Sequence, residues 1–138
     1  MLLVLAAIAV PVILSGISVA RGLSIGDGRG GGISKSHYAA MTADAMVAQT
    51  TDLVDGAAPR HSATLTWTDD DESFNYAHYA VVNGELLREH DGVTTTVAKG
   101  VVAARFSRVG KALIFAIDLE SADGVQTNRI EVFARSLQ

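Results

Sequence analysis

Residues 1–20 read MLLVLAAIAVPVILSGISVA, an uncharged apolar run that is closed by Arg21. A helix rises about 1.5 Å per residue, so a run of this length is enough to cross the roughly 30 Å hydrocarbon core of a bilayer. The chain therefore divides in two. Residues 1–32 form an apolar transmembrane or filament-core helix with a glycine-rich hinge, and residues 33–138 form a globular domain of one helix and an antiparallel β-meander. A protein of this plan is held at a membrane, exported, or polymerised through its apolar helix.

Three readings of the run compete. A cleavable signal peptide needs a basic start, and although Ser18-Val19-Ala20 suits a cleavage site, nothing basic precedes it. A plain membrane anchor is the second reading, and a helix that packs against copies of itself is the third. Outside the run the composition is ordinary. At 138 residues and 14.4 kDa there is material for one modest domain, and the mean hydropathy of +0.27 is owed largely to residues 1–20. A net charge of -4 gives no basic footprint for phosphate, so nucleic acid is excluded as an expected partner. With no cysteine there is no disulfide, thiol nucleophile or thiolate metal site.

After Arg21 the segment Gly26-Asp27-Gly28-Arg29-Gly30-Gly31-Gly32 places five glycines in seven residues. Each costs about 1 kcal/mol against Ala inside a helix, so a continuous helix should break there, with Gly26, Gly28, Gly30, Gly31 and Gly32 as the hinge. A second helix is expected from Ser34 or Ser36, either of which can cap it, to Gly56, with Pro59 as a stop. Ala39, Ala43, Met46, Val47, Thr50, Leu53 and Val54 recur at spacings of three and four, and that stripe should pack on a sheet.

From Ser62 onward the period changes to two. Strands are expected over 63–68, 74–82, 93–97 and 101–107. Asn83-Gly84 is a strong hairpin signal because both central residues of a type I′ turn need positive φ; it pairs Val81 with Leu86, Tyr79 with Arg88 and His78 with Glu89. Asp91-Gly92 offers a second turn. A last hairpin turning at Asp123-Gly124 sets Ile117 opposite Ile130, Phe115 opposite Val132 and Asp118 opposite Arg129. Phe115, Ile117, Ile130 and Val132 then share a buried face, with Asp118, Arg129 and Glu131 on the wet one.

Two stretches carry a resemblance. Leu5-Ala6-Ala7-Ile8-Ala9-Val10-Pro11 resembles the second half of the N-terminal helix of type IV pilins and of type II secretion pseudopilins, where the same small-apolar run ends at a proline. The family's prepilin-peptidase site and the glutamate five residues into its apolar run would lie upstream of Leu5 and are not among these residues. Further on, Tyr79-Ala80-Val81-Val82-Asn83-Gly84-Glu85-Leu86-Leu87-Arg88, then Val97-Ala98-Lys99-Gly100-Val101 and Arg105-Phe106-Ser107, is similar to the hairpin of minor pilins and of the minor pseudopilin J group. The resemblance implies an α+β, pilin-like fold, in which a long N-terminal apolar helix, broken at the glycine-rich hinge, packs on an antiparallel sheet.

It also implies a function: a structural subunit of a pilus-like or pseudopilus filament, without catalytic activity. Its partners would be other pilin or pseudopilin subunits, with the inner membrane holding it before assembly and an extracellular filament or periplasmic pseudopilus after. Leu5, Ala6, Ala7, Ile8, Ala9, Val10, Pro11 and Gly16 would carry helix packing, small side chains allowing close approach and Pro11 loosening the helix. The alternative is a single-pass anchored or exported β-rich binding module that does not polymerise.

Other constellations yield less. Gly26, Gly28 and Gly31 fit G-x-G-x-x-G, but the run before them is far longer than a strand and no βαβ unit follows, so no nucleotide cofactor is expected. Asp69, Asp70, Asp71 and Glu72 are contiguous, whereas calcium loops interleave their carboxylates; a solvated turn is the expectation. His37, His61, His78 and His90 are scattered, and the hairpin register puts His78 and His90 on opposite faces, which disfavours a two-histidine metal site. No serine sits in a G-x-S-x-G elbow. Tyr79 and Arg88, directly opposite, suit a cation-π pair.

Overall fold

The computed structural model describes residues 33–138. One helix, α1 (Lys35–Val47), is followed by eight strands: β1 (Thr50–Thr51), β2 (Ser62–Thr68), β3 (Phe74–Val82), β4 (Glu85–His90), β5 (Val93–Lys99), β6 (Val101–Val109), β7 (Ala112–Ser121) and β8 (Gly124–Phe133). Strand makes up 58% of the described residues. This corrects the expected pilin-like α+β fold: the helical part is 13 residues long, and among the described residues no helix is long and apolar enough to cross a membrane. The apolar helix over residues 1–20, its packing residues Leu5 to Pro11 and Gly16, and the hinge glycines from Gly26 to Gly32 lie outside the described residues.

The helix starts as capping chemistry directs, with the Ser34 hydroxyl accepting from the backbone N–H of His37 at 3.3 Å. It stops far short of Gly56. Thr50 and Thr51 are β-branched and suit a pleated surface, and the chain joins the sheet there, Thr50 against Thr66 and Thr51 against Leu65. The buried face of the helix also differs from the expected stripe. Met41, Asp44 and Ala45 face inward, while Met46 and Val47 are exposed.

All consecutive strand pairs within each sheet are antiparallel, but the expected single meander is in fact two sheets, β1-β2-β3-β4-β5 and β6-β7-β8. The division falls at Gly100, whose φ of 66° turns the chain. One peptide group spans the gap: the Gly100 carbonyl accepts from Glu120 of β7 at 2.8 Å, and the adjoining Val101 N–H donates to the Gly84 carbonyl in the β3–β4 turn at 2.9 Å. The sheets share one core, in which the Tyr79 ring of β3 lies 5.7 Å from Phe115 and 6.3 Å from Phe106, and these two phenylalanines meet edge to face at 5.4 Å. Helix α1 packs against β2 and β8.

The Asn83-Gly84 hairpin has the expected register, with φ of 52° and 75° at its two central residues. Asp91-Gly92 likewise turns with both φ positive, at 54° and 76°. The last hairpin is slid by two residues. Ser121 pairs with Gly124 and Phe115 with Ile130, so the loop is Ala122-Asp123 and only Gly124 has a positive φ. A slide of two leaves every side chain on its own face, so Phe115, Ile117, Ile130 and Val132 are all buried as the alternation requires.

Candidate functional site

Where α1 meets the first sheet, a carboxylate enters the core. Asp44, 5% exposed, is the buried charged residue of the domain's interior among the described residues. Arg88 of β4 grips it at two points, Nε to Oδ2 at 2.7 Å and Nη2 to Oδ1 at 2.8 Å. The Tyr79 hydroxyl, on the neighbouring strand, donates to the same Oδ2. A buried carboxylate without such partners would cost far more than the fold can absorb, and here three charge-assisted bonds replace its water.

The environment holds each partner in one protonation state. Burial pushes the Tyr79 hydroxyl far above the ordinary range, and the adjacent Asp44 charge pushes it further, so it remains a donor. The bond to Asp44 raises the Arg88 guanidinium against the opposing effect of its own burial. Chemically the cluster is a clamp, fixing the helix that follows the glycine-rich segment onto β3 and β4.

Tyr79 and Arg88 do stand opposite each other as the hairpin register requires, but they meet through Asp44 and not as the expected cation-π pair. The helical stripe read from the sequence excluded Asp44. A usable signal was present: Arg88 shares the face of Tyr79 and Leu86, and a cation on a buried face requires an anion. Met41, Asp44, Ala45 and Ala48 stand at i, i+3, i+4 and i+7, which would have supplied it.

Beyond the C-terminal end of α1 lies an open cleft of about 690 Å³. Met46, Val47 and Trp67 give it an apolar side, Asp69, Asp70 and Asp71 an acidic one, and Arg135 and Ser136 of the C-terminal segment close it. The acidic residues form the expected turn between two strands. Asp69 accepts from Asn75 at 2.7 Å, and Asp71 accepts from the Ser73 N–H at 3.0 Å; hydrogen bonding by the Ser73 side chain first, and by its backbone second, holds the Asp71 carboxyl below the usual range. Among the described residues no three histidine or carboxylate side chains converge as a metal site.

The histidines are placed apart. His78 lies on the outer face beside Thr64, at 2.7 Å, whereas His90 lies on the inner side, stacked on Trp67 at 5.8 Å. His61 contacts the Ala104 carbonyl at 3.2 Å, and His37 sits with Ser34 at the helix start. His78 stands opposite Glu89 as the hairpin register requires, but its side chain turns to Thr64, and Glu89 accepts from the Tyr76 hydroxyl at 2.9 Å. Comparison of the chain with protein-family models, with curated proteins and with solved structures gives no significant match.

Proposed function

We propose that this chain is a structural subunit that polymerises through its N-terminal apolar segment into a type IV pilus-like or type II secretion pseudopilus filament. The observation that supports this reading is the junction after residue 32. Ile33 is wholly buried, Ser34 caps α1, and α1 is tied to β3 and β4 through Asp44. A load reaching Ile33 would thus pass through α1 to β3 and β4 of the first sheet, as a subunit built into a filament needs. The partners are copies of this chain or related subunits, and the inner membrane holds the apolar segment until it moves into the filament core.

The cleft beside Met46 and Trp67 favours the second reading, an anchored or exported module that binds a ligand and does not polymerise. The two differ in what they ask of residues 1–20. An anchor needs only apolarity, whereas helices packed in a filament core need small side chains. Ala6→Leu, Ala7→Leu and Ala9→Leu together should leave the protein in the membrane and folded, yet keep it out of filaments sheared from cells and viewed by electron microscopy. Normal filaments from that variant would place the anchored module ahead.

A further inference from the structure

A strand at a sheet edge offers unpaired backbone groups to any other strand, and folds usually blunt such edges. Three of the four edges here are blunted. β1 is two residues long. β6 is bonded along its outer side by residues 55–60, with Arg60 and Phe106 exchanging N–H and carbonyl bonds at 2.8 and 2.7 Å and Gly56 donating to Arg108 at 3.0 Å. β5 is bulged at Val97, between Ala98 opposite Leu86 and Thr96 opposite Leu87. β8 has none of these devices: it is ten residues long, contains no proline, and pairs with β7 without a shift.

The parity of its bonds is known. Ala134 N–H donates to the Lys111 carbonyl at 2.7 Å, in register with the β7–β8 ladder, so even-numbered residues of β8 turn their backbone groups to β7. Val125, Thr127, Arg129, Glu131 and Phe133 turn theirs outward, where no described residue bonds them. The exposed side chains of Arg129 and Glu131 form an ion pair at 2.8 Å on the outer face.

We propose that this edge pairs antiparallel with β8 of a second copy, about a two-fold axis through Ile130. That register places Arg129 opposite Glu131 of the second copy, and Glu131 opposite its Arg129, so two ion pairs become a square of alternating charge. Charge also selects the register. The nearest alternatives that preserve the bond parity put Arg129 opposite Arg129, or Glu131 opposite Glu131. Single-sign charges would protect the edge, but an adjacent opposite pair makes it self-complementary. The pair uses nothing of residues 1–20, so it stands apart from the filament reading, and being closed it adds a lateral contact without growth.

The chain has no cysteine, which permits a register-specific test with the full protein in detergent micelles. The two-fold register makes Thr127 and Phe133 of the second copy a hydrogen-bonded pair, with Cα atoms about 5.5 Å apart, inside the span of a disulfide. Thr127→Cys and Phe133→Cys chains, mixed and mildly oxidised, should give a linked dimer, and Thr127→Cys alone should not. Adding Arg129→Glu to both chains should cut the linkage roughly tenfold through like-charge contacts, and adding Glu131→Arg as well should restore it. Equal linkage in Thr127→Cys alone, no linkage in the mixture from variants with an unchanged circular dichroism spectrum, or no rescue by the charge swap would overturn the proposal.

Discussion

Arg88 holds Asp44 across 44 positions of sequence by two bonds of 2.7 and 2.8 Å, and this grip makes α1 part of the sheet. Arg88→Met would leave a carboxylate buried without its cation. The expected cost is about 3 kcal/mol, the lower end for a buried pair, because the Arg88 side chain is 19% exposed and water can partly replace it. Asp44→Leu with Arg88→Met removes both charges but orphans the Tyr79 hydroxyl, at about 1–3 kcal/mol. Adding Tyr79→Phe should then bring stability back toward the parent, and urea midpoints of the three variants check the order.

The alternation of β7 makes a second contrast. Ile117 is fully buried beside Phe115, while Ile114, one face over, is half-buried on the outer surface. Ile117→Ala should cost about 2–5 kcal/mol through lost burial and the cavity left behind, and Ile114→Ala under about 1 kcal/mol. Equal losses in thermal melts would mean that the two faces of β7 are misassigned.

These contrasts rest on what the residue pattern specifies well. Asn83-Gly84 and Asp91-Gly92 set their registers because both central φ angles are positive, a demand those residues meet at little strain. At the last hairpin only Gly124 needs that freedom, so the glycine closes the loop instead of occupying its centre, and the expected pairing slid by two. Two-residue periodicity is indifferent to such a slide, which is why the buried face was still legible. The helix was less so. Hydrophobic spacing counts apolar residues, and the inward face of α1 is centred on Asp44, a charge whose partners lie on β3 and β4 and are invisible to local pattern. For the same reason local pattern does not reveal the clamp, although the hairpin register sets its two strand residues, Tyr79 and Arg88, opposite each other.

Acid should weaken the second sheet through Asp118. Arg105 donates to its two carboxylate oxygens at 2.7 and 3.1 Å and Thr127 at 2.6 Å, and chiefly the Arg105 bond holds the Asp118 carboxyl below the ordinary 3.8. A depressed folded value means that the unfolded chain binds the proton first, so the stabilisation is present above pH 3.8 and is lost as pH falls below it through the folded value. Asp118→Asn should flatten that limb of a stability profile while leaving neutral-pH melting only slightly lower. An unchanged acid limb would assign the acid sensitivity to other carboxylates.

Gly100 should be the least replaceable glycine of the domain. Its φ of 66° lies in the left-handed region, and its peptide group bonds Glu120 of one sheet and Gly84 in the β3–β4 turn of the other. Gly100→Val puts a β-branched residue where L side chains clash with their own backbone, at about 2 kcal/mol or more, and the chain can escape only by giving up one of those two bonds. Gly100→Asn is the control, since asparagine tolerates the left-handed region and should retain most of the stability. Amide exchange distinguishes strain from general loosening: in Gly100→Val the Val101 and Glu120 amides should lose protection before those of the Asn83-Gly84 hairpin. If both variants destabilise equally, or if all amides lose protection together, the two sheets are not joined through this peptide in the way the geometry requires.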